Sequence, residues 1–496
     1  MESQLPIVIL SIPFIVALGS AVLGVLKKSN IFRILSWAYL ANLLLSFKLL
    51  QTCLDYGFVS NHFAGWETHL GISFKVNPIF AALAILINFI AFIVALFAYQ
   101  RWSELSFSLF SILCTAFLGL LFSNDLFNIY VFIEVSALSA YALMAIGGNK
   151  AALAVYKYLI LGVCAATFYL LGLGLLYSQT GYLNIDSTAH FLRTENVNLS
   201  IIHISIICFF VGLAIKSALF PMHTWMPSVY TFAPSYMVAF ISSLMTKMNI
   251  IIFFKLFFIV FPHNLIPHTF WPTVQVLALL GVFYGAYHAY KTSDARQMFA
   301  YSSISQIGLI FLGFSLQSSL ALFAAFFHII IHALMKTAFF LISEQTISQA
   351  RDQNLSDFKA LSKQSRWLAG LTVVSGASMV GLPPFPGFFS KFYLVLTALE
   401  QHNYILLVLL VFASLATANY IFKFIQICFE PSENPEQENH KKLSFSKKLI
   451  FSCLLFILVG ISAYTPSLKK QWLNYFENHK PLIVYKSFDH YAEHRP

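Results

Sequence analysis

Residues 216–227 read Lys-Ser-Ala-Leu-Phe-Pro-Met-His-Thr-Trp-Met-Pro, and residues 381–391 read Gly-Leu-Pro-Pro-Phe-Pro-Gly-Phe-Phe-Ser-Lys. The first stretch lies between the apolar runs 200–219 and 235–261, and the second sits inside the run 367–398. Each joins a lysine to prolines. Proline cannot continue a helix, because it lacks the N–H and its ring clashes with the preceding turn. In hydrocarbon no water satisfies the freed carbonyls, so a break survives only inside protein or beside a water-filled cavity. A lysine at membrane depth is costly and marks function. The two stretches therefore predict two broken, lysine-bearing helices in a polytopic membrane protein.

Composition agrees. Of the 496 residues, 58% are hydrophobic and 10% charged, against about 25% charged in an average soluble protein. So little charge cannot cover a soluble globule, and apolar surface without a protein partner faces the lipid bilayer. This counts against a soluble enzyme, a disordered chain and a secreted disulfide scaffold. The formal net charge of +10 is no nucleic-acid signal, because there is no dense arginine patch and the 52 phenylalanines are spread through apolar runs. The six cysteines form no Cys-x-x-Cys pair, so neither a metal site, another cofactor nor a disulfide is expected. The run after Glu2 lacks a basic leader region and reads as a first helix.

A spanning helix needs about 20 mostly apolar residues. Fourteen candidates follow, near 5–26, 31–50, 76–99, 105–123, 125–146, 152–177, 200–219, 235–261, 271–290, 298–314, 317–343, 367–398, 404–428 and 448–465. Three helices (1–104) precede a block of five (105–262) and a second block of five (263–430). The last helix and the tail occupy 431–496. Each block has a broken, lysine-bearing fourth member. Five is odd, so the blocks have opposite topology, the inverted-repeat plan of ion-coupled transporters. The expected fold is an all-α polytopic membrane protein of about 14 transmembrane helices, with two inverted five-helix repeats and two broken helices. With the N-terminus outside, sixteen Lys and Arg residues fall in inner loops, three at outer ends and loops and five in the tail. The positive-inside rule then puts both termini outside.

Six basic residues remain, Lys216, Lys247, Lys255, Lys336, Lys391 and Lys423, and all are lysine. Arginine stays protonated in proteins, whereas a lysine taken out of water gives up its proton, so a row of lysines suits proton handling. Lys255 and Lys423 lie near span ends and are expected to snorkel to the headgroups. Glu134 is the one acid deep in a span and requires a partner, a lysine from another helix. His328, His332 and Lys336 recur at i, i+4 and i+8, on one helical face. Either histidine alone reads as a hydrogen-bonded packing residue, but together with Lys336 they form a relay segment, since histidine titrates near neutral pH. Asp125 opens a span, where a helix N-terminus stabilises a carboxylate. His223 either contacts the broken helix or caps the unwound turn. Both are accessory candidates.

These residues resemble the proton-channel family shared by the antiporter-like subunits of complex I, of membrane-bound hydrogenases and of Mrp-type cation/proton antiporters. The resemblance is carried by Ser123-Asn-Asp-Leu-Phe-Asn-Ile-Tyr-Val-Phe-Ile-Glu134, by 216–227, by Met245-Thr-Lys247, by 294–308, by His332-Ala-Leu-Met-Lys336 and by 381–391. It covers nearly the whole chain. Segment 124–128, Gly181-Tyr-Leu-Asn-Ile, Lys391 and Gln306 are most similar to the D-type branch of the Mrp group. The tail Asp489–Pro496 matches no family motif. The resemblance implies that Glu134 pairs with Lys216 and modulates its pKa, and that Lys216 and Lys247 carry protons in the first half-channel. It places His332 and Lys336 on a central hydrophilic axis and Lys391 on the exit side, with His328 one turn away.

The reading is a proton-conducting subunit of a multi-subunit Na⁺(cation)/H⁺ antiporter in the bacterial plasma (inner) membrane, with other membrane subunits as partners. It is a transporter subunit rather than an enzyme. The alternative is a proton-pumping subunit of complex I or a hydrogenase, whose redox centres would lie in partners, because this chain has no cysteine cluster, dinucleotide fingerprint or haem signature. A stand-alone solute carrier fits less well. Its polar groups would converge on one break, and here the titratable groups are spread over five or more helices.

Overall fold

The computed structural model describes residues 4–24, 31–62, 71–346, 354–431 and 443–478. The tail segment 489–496, together with Lys480 and Lys486, lies outside the described residues, as do the inner-loop residues Lys27, Lys28, Arg351, Lys441 and Lys442. The chain begins with α1 (Leu5–Gly24) and α2 (Ile31–Tyr56). A two-stranded antiparallel hairpin follows, β1 (Val59–His62) and β2 (Ser73–Val76), with Val59 opposite Val76. Next come α3 (Pro78–Phe97), α4 (Glu104–Phe122), α5 (Leu126–Ala145), α6 (Asn149–Thr180) and the short α7 (Ile185–Thr194). The first break separates α8 (Leu199–Ser217) from α9 (Trp225–Phe232). Then α10 (Ser235–Phe254) runs on as a π-helix over Lys255–Val260. The second half holds α11 (Phe270–Lys291), α12 (Ala295–Ser315), α13 (Ser319–Thr346), the single turn α14 (Leu361–Gln364), α15 (Arg366–Val380), α16 (Pro386–Glu400), α17 (Tyr404–Phe429) and α18 (Phe445–Asn478).

Among the described residues, thirteen helices are long and apolar enough to cross a membrane. The one expected span missing from these thirteen, the twelfth (367–398), is split into α15 and α16, of 15 residues each. The protein is an all-α, multi-pass integral membrane protein. Two elements escape a reading based on apolar runs. The hairpin is short and mixed in polarity. Helix α7 is only 10 residues long, and it buries Ile185, Thr188, Ala189 and Leu192 at the i, i+3, i+4, i+7 spacing of a one-sided helix.

The core consists of α10, all of whose residues are buried, packed with α12 and α13. Outer helices turn large apolar side chains outward, among them Ile405, Phe412 and Phe445, as lipid-facing surfaces require. Two helix starts match each other. Asp125 accepts the Asn128 N–H at 2.7 Å, and its backbone bridges Asn184. Asp294 accepts the Gln297 N–H at 2.9 Å, and its backbone bridges Asn354. One begins α5 and the other begins α12.

Lys255 corrects an expectation. Instead of snorkelling, it is buried, and its Nζ donates to the carbonyls of Leu120 (3.1 Å), Leu121 (2.8 Å) and Ser123 (2.7 Å). It also lies 4.8 Å from the centre of the Phe80 ring. The last carbonyls of α4 have no partner in their own helix, and an ammonium group offers three donors for them. Lys423 is half-buried and bonds the Tyr290 carbonyl at 2.8 Å, as a snorkelling lysine does. The Lys255→Met variant should leave the α4 carbonyls unpaired and cost on the order of 2–4 kcal/mol. Thermal unfolding of the purified protein checks this, and an unchanged midpoint would refute the capping role.

Candidate functional site

The first break positions Lys216. Pro221 cannot donate to the α8 ladder. The helix closes through Ala218, which is left-handed with φ 57°, and through the Leu219 N–H on the Ala214 carbonyl at 2.9 Å. Trp225 Nε1 donates to the Ile215 carbonyl at 3.0 Å. The indole also stacks on Tyr158, with ring centres 3.7 Å apart. These contacts tie α9 back onto the end of α8 and hold Lys216 inside the protein. Its Nζ lies 3.2 Å from Glu134 Oε1 on α5. The pair is lopsided, because the lysine side chain is 3% exposed and the glutamate 29%. Glu134 shares the outward face of α5 with Val131 and Leu138, both exposed. Among the described residues, this is the one interior lysine with a carboxylate within 4 Å.

The other lysines are held by backbone. On α10, Lys247 Nζ donates to the Ser242 carbonyl at 2.6 Å. On α13, Lys336 Nζ donates to the Phe299 carbonyl at 2.6 Å and to the Ser302 hydroxyl, both on α12. Beyond the second break, Lys391 on α16 reaches back to the Met379 and Val380 carbonyls at 2.9 Å each. That break turns at Gly381, whose φ of 89° suits glycine. The lysine therefore caps the unwound end of α15.

His328, His332 and Lys336 are all buried on α13. The two imidazole rings are nearly parallel, with centres 6.0 Å apart. Lys247 lies within electrostatic reach of all three. His328 Nδ1 is 2.9 Å from the Ser390 hydroxyl, and Ser390 precedes Lys391. His328, the less certain of the two histidines in sequence, thus joins α13 to the Lys391 helix. One group therefore runs Lys336, Lys247, His332, His328, Ser390, Lys391, and Glu134–Lys216 forms a second. Several buried polar atoms of these helices have no hydrogen-bond partner among the described residues. They include both ring nitrogens of His332, the hydroxyls of Ser242, Thr246, Ser305 and Ser375, and Asn249 Oδ1. Buried groups of this kind are satisfied by water.

The accessory candidates stand apart. Asp125 caps α5 at its end, nine residues before Glu134. His223 is buried beside a cavity of about 460 Å³ that is also lined by Tyr284, Asp294, Gln297 and Tyr301. Its ring packs on Phe220 and Tyr284, and its Nδ1 has no hydrogen-bond partner among the described residues. Sequence reading by charge passed over Ser302 and Ser390. Hydroxyl groups are common in membrane helices and announce themselves only through the partner they meet.

Known proteins are similar to this chain in sequence and fold. Residues 123–417 match the family described as NADH:quinone oxidoreductase/Mrp antiporter, transmembrane. The NADH-quinone oxidoreductase subunit N of Desulforudis audaxviator is 35% identical over 437 residues, covering 86% of each chain. The D-type subunit of the Na⁺/H⁺ antiporter of Alkalihalophilus pseudofirmus is 29% identical over 470 residues, covering 93% of this chain and 94% of that one. A chain in the structure of the Mrp complex from Dietzia sp. superposes with a TM-score of 0.87 at 21% identity, covering 99% of both chains, which speaks for the fold. With its broken helices, buried lysines and Glu134–Lys216 pair in the matched segment, the chain belongs to the NADH:quinone oxidoreductase/Mrp antiporter family of membrane subunits.

Proposed function

We propose that this chain conducts protons as a membrane subunit of a multi-subunit cation/proton antiporter, with Na⁺ the first cation to test. The observation that carries the proposal is the spread of titratable groups across the buried interior. They run from Glu134–Lys216 on α5 and α8, through Lys247, His332 and Lys336 on α10 and α13, to His328 and Lys391 on α13 and α16. No metal or organic cofactor is needed for proton transfer along such a line, because lysine, histidine and water exchange protons directly. Replacing Lys216 by Ala or Glu134 by Gln in an assembled complex should lower proton-coupled cation exchange by on the order of 10²-fold. Normal exchange by both variants would sink the roles given to them.

A second reading has its own support. The relative from Desulforudis audaxviator is named as a subunit of an NADH-quinone oxidoreductase, so the same line of groups would serve a redox-driven pump. The host complex separates the two readings, and the structure indicates where to look for it. Glu134 is a carboxylate at mid-helix on an outward apolar face, and a charge is not left against lipid. A partner subunit covers that face. Cross-linking from a Leu138→Cys variant, followed by mass spectrometry, should capture small antiporter subunits. Capture of iron–sulfur or flavin subunits would favour the redox pump, and capture of lipid alone would count against a partner there.

The matched Asp125 and Asp294 helix starts lie five spans apart, and their bridges to Asn184 and Asn354 repeat the same junction. That repetition supports two blocks of five helices inserted with opposite topology. The lysine and arginine bias of the loops supports both termini outside, in a bacterial plasma membrane. An impermeant thiol reagent should then label a Ser60→Cys variant on intact cells, and a Gln100→Cys variant only after permeabilisation. The reverse pattern would invert the orientation.

A further inference from the structure

Among the described residues, no ion pair or side-chain hydrogen bond joins the two titratable groups of the site. On one side stands Lys216 with Glu134, and on the other the group built around Lys247. Two tyrosines in contact, Tyr141 and Tyr158, link their neighbourhoods. Tyr141 follows Glu134 by seven residues and shares its face of α5. Its hydroxyl is buried and has no hydrogen-bond partner among the described residues. Gly162 on α6 shows where that hydroxyl points. A Cβ placed there would lie 1.8 Å from Tyr141 Oη and 3.7 Å from Lys216 Nζ. The phenol and the ammonium thus converge on the same point of α6, where the missing side chain leaves them within reach of one bridging water.

From there the path continues in the direction required. The Tyr141 ring meets Tyr158 edge-on, with centres 4.8 Å apart and an angle of 89°. Tyr158 is fully buried, and its ring is fixed against Trp225. Its hydroxyl lies 3.7 Å from Met245 Sδ, two residues before Lys247. Thioether sulfur is a weak acceptor, so this hydroxyl remains free to turn. The hydroxyls of Ser242 and Thr246 flank Lys247 on α10 without protein partners. Aromatic packing alone accounts for the rings. It gives no reason for a buried phenol oxygen beside Lys216 that bonds nothing among the described residues, since such an oxygen lowers stability unless water reaches it.

We propose that Tyr141 and Tyr158 carry the proton between Lys216 and Lys247, making them relay residues alongside the charged ones. In each hop the phenol oxygen accepts a proton from the Lys216 side, directly or through a water, and releases its own proton toward Lys247. The hydroxyl ends as it began, and no tyrosinate and no change of charge remain on the ring. The inference rests on the proton-conducting function proposed above. Its test is built so that the two fail separately.

The experiment measures proton flux in vesicles containing the assembled complex, in H₂O and in D₂O. The variants are Tyr141→Phe, Tyr158→Phe, the double variant and Lys216→Ala. Each phenylalanine removes one oxygen and keeps the ring. Flux should fall on the order of tenfold in each phenylalanine variant. The double variant should be no slower than the slower single one, because both act on one path. The H₂O/D₂O rate ratio should rise as the interrupted hop becomes limiting, which a packing defect would not cause. Wild-type flux and isotope ratio in both phenylalanine variants, with flux lost in Lys216→Ala, would overturn the tyrosine relay and leave the proton function standing. Flux retained in Lys216→Ala would overturn the proton function itself. If Tyr141→Phe fails to assemble, difluorotyrosine at position 141 keeps ring and hydroxyl but makes the phenol more acidic. A displaced pH profile of flux then supports the relay, and an unchanged profile overturns it.

Discussion

In the hydrocarbon interior, every charge and every freed carbonyl requires a polar partner from the protein itself. Most of this structure follows from the way lysines and unpaired carbonyls meet that demand together. Lys391 closes the unwound end of α15, Lys255 closes the end of α4, and Lys247 and Lys336 rest on carbonyls of α10 and α12. Only Lys216, among these five, faces a carboxylate within 4 Å among the described residues. Breaking a helix and burying a cation are each costly in lipid, and each is made tolerable by the other.

That pairing also separates two kinds of lysine. Lys255 has three carbonyl partners and an aromatic face, so its donors are filled, and it serves the α4–α5 junction that leads into Glu134. Lys216 has one side-chain partner, and Lys247 has one carbonyl. Lys247 stands near the Ser242 and Thr246 hydroxyls and the His332 ring, which have no partner among the described residues, so it has donors free for water. Burial alone does not separate the two kinds of lysine. The number of filled donors does.

Much of this was legible in the sequence. Helix-breaking prolines and glycine within apolar runs located both breaks, because proline's missing N–H acts wherever it stands. Lys216, Glu134, Lys247, His332 and Lys336 were marked by charge at membrane depth. The expectation for Lys255 was incorrect for a physical reason. Its nearness to a span end pointed to the headgroups, and only the fold shows the end of α4 beside it. Helix α7 and the β-hairpin were missed because neither is long or apolar enough to register as a span. Ser390 and Ser302 carry no charge and have no distinctive spacing, so nothing in the chain alone marks them.

The sequence by itself determined the class of the protein, its spans, its two interruptions and the charged residues that cannot face lipid. Those features depend on transfer free energies and backbone valence, which are properties of each residue wherever it lies. The tertiary structure decided which groups meet. Lys216 with Glu134, His328 with Ser390, and Tyr141 with the open face of Gly162 are contacts between different helices. Their geometry comes from how helices cross and rotate against one another, and helical periodicity within a single segment does not encode it.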